Sequence, residues 1–290
     1  MLKKIFLIMI TLAFTIMNAS AQENNSLIFG ADGEFKILHV SNCIDNSNNV
    51  SRATKGLVGR YIEVEKPQYI VFTIGRKNTS GIAKLVPELK ELCKGIPCAV
   101  VCADGEGNSS VPVMSFNGST ISHIVYLMGE ETTFEQVAWY RQQSIKYANN
   151  NSGIPVPSVA FVLRPMPEFD TAYNEYGSQK MLKKLISHTG EKKEEVSCQE
   201  NNAGLFTAMI DCNDVRGVFS GYDDRNDYAL VWKNILLAYG RHTSMESMYE
   251  PGARIIILNE NDESILTYIR NENNSVTDRC VYPTDFSVTK

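Results

Sequence analysis

Residues 102–107 read Cys-Ala-Asp-Gly-Glu-Gly and follow directly on the apolar run Ile-Pro-Cys-Ala-Val-Val at 96–101. An apolar strand that opens into a Gly-rich acidic loop suits a phosphate cradle or a metal site, since loops on a rigid scaffold carry most chemistry. A P-loop would need Gly-Lys-Ser/Thr after its glycines, and Gly105-Glu106-Gly107-Asn108 has no such ending. No G-x-S-x-G elbow occurs, which removes the serine-hydrolase reading. Cys43 stands at a strand end, but no neighbouring His would activate it, so it reads as structural. The metal reading turns on ligands. Only four histidines are present, His39, His123, His188 and His242, and none is paired at ligand spacing. His39 and His123 fall inside strand-like runs and are expected to be buried structural residues. Asn42, Asp104, Asp223 and Asp224 offer oxygens to a hard cation such as Ca²⁺ or Mg²⁺, fewer than the roughly six to eight that Ca²⁺ takes.

The seven cysteines, Cys43, Cys93, Cys98, Cys102, Cys198, Cys212 and Cys280, contain no CxxC pair, and the odd number leaves at least one unpaired. They are expected as buried small hydrophobes, with Cys98 and Cys102 facing the same side of one strand. The segment Glu191-Lys192-Lys193-Glu194-Glu195 reads as a solvated surface.

These residues hang on a regular alternation of elements. FKILHVS (35–41), YIVFTI (69–74), IPCAVV (96–101), ISHIVYLM (121–128), SVAFVL (158–163) and VRGVFS (215–220) read as buried strands. Helices are expected over 53–65, around Pro87, over TFEQVAWYRQQSIKY and over GLFTAMID. In the third of these, Thr133 is a cap and Phe134, Val137, Ala138 and Ile145 form the expected apolar face. YALVWKN, ILLAYGR, ARIIILN and SILTYIR add four closely spaced β runs. Strands dominate the second half and helices fill the connections of the first. The reading is α/β (α+β), two sheets packed together rather than one doubly wound sheet.

The first 21 residues read as a secretory signal peptide: Lys3 and Lys4, the apolar FLIMITLAF, then Ala19-Ser20-Ala21 before Gln22. Residues 22–34 read as a polar N-terminal tail and 35–290 as one domain. The expected product is exported, periplasmic or secreted, with no membrane span after cleavage, because no other apolar stretch is long enough. Cleavage would leave 26 basic against 33 acidic residues, −7 in place of −5, with no basic stripe. That excludes nucleic acid as the expected partner.

Taken together, FKILHVSNCI, YIVFTIGR, IPCAVVCADGE, AFVLRPMPEF and VRGVFSGYDDRND, in that order over residues 35–270, resemble the strand-end motifs of the calcineurin-like metallophosphoesterase family. The likeness is to its secreted purple-acid-phosphatase-like branch, and GLFTAMIDCNDV and ILLAYGRHT add to it. The resemblance implies a four-layer αββα sandwich of two mixed sheets, and a site where two divalent metals activate water and hold phosphoryl oxygens. By the same resemblance, the family's ligands fall on other residue types here. Its Asp-x-His falls on Asn42 and Ile44, and its second Asp on Gly75 or, with a shifted loop, Arg76. Its Asn-His-Asp falls on Asp104, Gly105 and Glu106, and its lone His on Leu163. Its last two histidines fall on Tyr222 and Asp224, either side of Asp223.

Every imidazole position is replaced. The expectation is a pseudoenzyme without catalytic residues or cofactor, acting by binding a small anion or a protein. The alternatives are a divergent phosphoesterase using Ca²⁺ or Mg²⁺ at Asn42, Asp104 and Asp224, or a surface protein with no use for the cleft. Arg76, Arg164 and Arg225 each stand beside a replaced ligand. They are expected either to close the cleft by pairing with Asp104, Glu106, Asp223 and Asp224, or to form an anion pocket.

Overall fold

Among the described residues, alternating side chains along thirteen strands fill two faces of each of two sheets. The computed structural model describes residues 26–45, 47–75, 81–103, 107–129, 132–181 and 189–286. The expected leader, Arg76, Asp104, Gly105, Glu106 and His188 lie outside the described residues. The strands are β1 (Leu27–Ile28), β2 (Glu34–Ser41), β3 (Tyr69–Ile74), β4 (Cys98–Cys102), β5 (Ser109–Met114), β6 (Ile121–Met128), β7 (Ser158–Val162), β8 (Val215–Ser220), β9 (Ala229–Trp232), β10 (Ile235–Tyr239), β11 (Gly252–Asn259), β12 (Ile265–Asn271) and β13 (Val276–Tyr282). The helices are α1 (Arg52–Glu65), α2 (Val86–Leu92), α3 (Phe134–Asn150), α4 (Pro167–Met181) and α5 (Leu205–Cys212).

One sheet has the order β1-β5-β6-β7-β8-β10-β9 and the other β13-β12-β11-β2-β3-β4. β2, β3 and β4 run parallel, as do β6, β7, β8 and β10, while the outer strands add antiparallel pairs. Phe35, Ile37 and Val71 of one sheet meet Phe161, Phe219 and Leu236 of the other in a central core. On the far side of the six-stranded sheet, Leu38, Val40, Ile70 and Phe72 pack on Leu57, Val58, Tyr61 and Ile62 of α1 and Leu89 of α2. On the far side of the seven-stranded sheet, Ile124 and Ala160 pack on Tyr140 of α3, Phe169 of α4 and Met209 of α5. The result is the expected αββα sandwich of two mixed sheets.

Two local expectations are corrected. Within the segment read as a tail, Leu27 and Phe29 are buried, and β1 pairs in parallel with β5, so the sheet begins there. In α3 the Thr133 cap and its box with Gln136 are present. Its expected apolar face is not the buried one, since Phe134 and Ile145 are 76% and 57% exposed. The helix is anchored instead by Tyr140, whose hydroxyl donates to the buried Asp214 alongside Tyr126 (3.0 Å). A polar tip reaching a buried carboxylate overrides a plain hydrophobic count.

Candidate functional site

The carboxyl ends of the central parallel strands gather on one edge. Ile74 lies opposite Cys102 and Ser41 opposite Thr73. The Ser220 hydroxyl donates to the Leu163 carbonyl at 3.1 Å across the second sheet. The sheets touch there: a Cβ on Gly221 would lie 2.4 Å from Ser41 Oγ, and one on Gly240 2.0 Å from it. Only glycine permits that approach. The expected common edge for the strand ends at 41, 74, 102, 163 and 220 is thus present.

Asn42 ties this edge together. Its left-handed φ of 45°, which Asn tolerates, turns the fully buried side chain inward from the end of β2. Its Oδ1 accepts from Gly75 N at 2.9 Å, while Nδ2 donates to the Tyr222 carbonyl at 3.0 Å and to Asp224 Oδ1 at 2.8 Å. The Tyr222 ring then lies on Gly75, where an added Cβ would fall 2.3 Å from Cδ2, and the Arg164 guanidinium caps the ring at 4.6 Å. Asn42, Gly75 and the Tyr222–Asp224 segment, far apart in sequence, therefore meet at one point. Ile44 instead enters the core beneath α1, and Leu163 the core between the sheets.

The neighbouring acids face different ways. Asp223 is buried and accepts from Tyr239 OH at 2.7 Å and from Ser197 N at 3.2 Å. Burial first, then the Asp223 charge, pushes the Tyr239 hydroxyl well above its ordinary value, so it remains a donor. Asp224 faces a cavity of about 430 Å³ shared with Asp45, Ser244 and Glu246. Arg225 is exposed, its guanidinium 5.4 Å from the Tyr249 ring centroid, while its N–H donates to Glu194 Oε1 at 2.8 Å. The segment read as solvated thus contributes Glu194 to this edge, and Lys192 pairs with Asp170 at 2.6 Å.

Beneath Asn42 lies a polar layer of which the sequence reading gave only the buried His39. His39, Ser41, Thr73 and Arg254 are fully or almost fully buried between the sheets. His39 Nε2 meets Thr73 Oγ1 at 2.8 Å and Ser41 Oγ at 3.3 Å, while Nδ1 has no hydrogen-bond partner. Arg254 donates to the carbonyls of Tyr239 and Asp227 and to Thr267 Oγ1. Burial, and then the Arg254 charge, lowers the His39 pKa to about 3, so its ring is neutral. The signal was available: these polar residues share the inward parity of otherwise apolar strands. His242, following β10, is also buried, with Nδ1 3.1 Å from the Asp224 carbonyl and Nε2 3.0 Å from that of Tyr249.

No family model matches the chain. It is 31% identical over 117 residues, 39% of its length, to "Probable inactive purple acid phosphatase 29" of Arabidopsis thaliana. It is 31% identical over 83 residues, 29% of its length, to "Probable inactive purple acid phosphatase 14" of the same plant. The matches span only 27% and 18% of those two proteins. Among solved structures, a dimetal phosphatase from Danio rerio superposes with a TM-score of 0.52 at 7% identity, covering 87% of this chain and 99% of that one. The chain thus shares its fold with a dimetal phosphatase over most of its length, and sequence with two proteins named as inactive purple acid phosphatases over part of it.

Proposed function

We propose that this chain is an exported phosphoesterase homologue that has lost its two-metal chemistry and acts by binding at the strand-end cleft. The observation that carries the reading is the Tyr222 ring seated on Gly75 beneath Arg164, at two positions where the family resemblance implies ligands. The donor set points the same way. Both ends of the Asn42 amide are engaged by protein groups, and the ring nitrogens of His242 face backbone carbonyls. Among the described residues, no three His, Cys, Asp or Glu side chains form a group that could hold a metal ion. These residues do not fit a pair of divalent metals, which want open carboxylate and imidazole donors. The names of the two plant relatives, each a "probable inactive" purple acid phosphatase, support this reading.

Elemental analysis of the purified chain, with p-nitrophenyl phosphate turnover under added Zn²⁺, Fe²⁺, Mn²⁺, Ca²⁺ or Mg²⁺, tests it. No stoichiometric transition metal and no metal-dependent turnover are expected. Tyr222→His should leave turnover absent, since one imidazole does not rebuild a two-metal site. Stoichiometric metal with metal-dependent turnover overturns the proposal, and turnover with Ca²⁺ or Mg²⁺ alone would establish the hard-cation enzyme. Export is tested separately by N-terminal sequencing of the secreted product, expected to begin at Gln22.

A further inference from the structure

A cavity of about 550 Å³ runs along β4, the edge strand of the six-stranded sheet, from Cys98 to the strand end at Cys102. Cys98, the first residue of β4, forms part of its wall together with Lys90 of α2. Immediately behind Cys98 lies Cys93, the fully buried residue that ends α2. The chain between them turns tightly, with Lys94 and Gly95 at φ of 53° and 86° and Ile96 N donating to the Cys93 carbonyl at 3.0 Å. This turn places both cysteines in one side-chain cluster, Cys98 packed against the core that holds Cys93, and Cys93 Sγ lies 3.2 Å from the Leu89 carbonyl.

We propose that Cys93 and Cys98 form a dithiol–disulfide couple, oxidised by small disulfides that reach Cys98 through this cavity. The two sulfurs have unequal roles. Cys98 is the half-buried one on the cavity wall, whereas Cys93 is closed off from solvent. The neighbouring Cys93 thiol and the nearby Lys90 charge lower the Cys98 pKa against the opposing effect of burial. The Cys98 thiol beside it, with burial, raises that of Cys93. Cys98 thiolate therefore attacks one sulfur of the incoming disulfide RSSR, breaking its S–S bond and expelling RS⁻. Cys93, losing its proton, then attacks Cys98 Sγ in the mixed disulfide and expels the second RS⁻. The dithiol loses two electrons, RSSR gains them, and the two thiol protons end on two RSH.

The test uses the full chain and oxidised glutathione. After incubation, free thiols are blocked with N-ethylmaleimide and the protein is digested with trypsin without reductant. Cleavage after Lys90 and Lys94 leaves Cys93 on peptide 91–94, joined to the peptide starting at Gly95 only through a disulfide. The linked pair is expected in the wild type and in Cys102→Ala, and is lost in Cys98→Ala. On the reduced native protein, iodoacetamide should label Cys98 roughly tenfold faster than Cys93. Maleimide on both cysteines after oxidation overturns the proposal, as does glutathione retained on Cys98 or a Cys93 link to Cys43. Survival of the linked pair in Cys98→Ala, which would make Cys102 the partner, also overturns it. The wild-type peptide map decides the first three outcomes even if a variant fails to fold.

Discussion

At the scale of single residues, the strand-end edge is held by contacts that leave little slack. Asn42 satisfies one donor and two acceptors from two other loops while itself fully buried. Asn42→Ala should therefore cost about 2–4 kcal/mol in chemical denaturation, because it leaves the buried Gly75 N–H unpaired and opens a void. A loss below about 0.5 kcal/mol, the usual range for surface positions, would show that the amide is not the tie described here. Gly75 offers a sharper check. Its Cβ would strike the Tyr222 ring, so Gly75→Ala should destabilise by about 1–3 kcal/mol. The same change in a Tyr222→Ala background should be nearly neutral, a coupling that a double-mutant cycle reads directly. Additive effects would mean that ring and glycine are not in contact. The meeting of Asn42, Gly75, Tyr222 and Asp224 was legible in the sequence only as an ordered set of strand ends. That the Tyr222 ring would pack onto Gly75 was not, because packing between loops leaves no periodicity to read.

At the scale of elements, legibility follows burial. β3 and β8 were bounded correctly because strands buried on both faces read as unbroken apolar runs. β5 and β13 were missed for the opposite reason: Pro112 interrupts one, and mixed exposure along both erases the pattern. Helix α3 shows how composition misleads, since its exposed face carries Phe134 and Ile145. Phe134→Lys and Ile145→Lys should each change stability by less than about 0.5 kcal/mol. Tyr140→Ala, which empties the core beside Asp214 and removes its hydroxyl donor, should cost about 3–5 kcal/mol. Thermal or urea unfolding of the three variants checks this, and a reversed order would restore the periodicity-based face.

For the whole molecule, two buried histidines on strands of opposing sheets make stability depend on acid. His39 on β2 and His123 on β6 are both desolvated, and burial is the first cause that lowers their pKa values, to about 3 and about 4. An unfolded chain would protonate both near the ordinary 6.5, whereas the folded protein keeps both rings neutral. Over the intervening range the unfolded state binds more protons, so stability falls as pH drops through about 6.5. The loss grows until the folded rings themselves protonate, near 4 for His123 and near 3 for His39, and flattens below that. For His39 the full loss is on the order of 5 kcal/mol, enough to consume much of a typical domain's stability. For His39 the cause is geometric: a second cation beside Arg254, between the sheets, has no carboxylate to meet it among the hydrogen bonds of its ring. His39→Gln keeps a polar side chain able to reach Thr73 but removes the titration. Urea unfolding at pH 7.5, 5.5 and 4.5 should then show a smaller decline for the variant than for the wild type, by about 1–3 kcal/mol at the lowest pH. Parallel declines in the two proteins would place the acid sensitivity in the carboxylates instead of in the polar layer beneath Asn42.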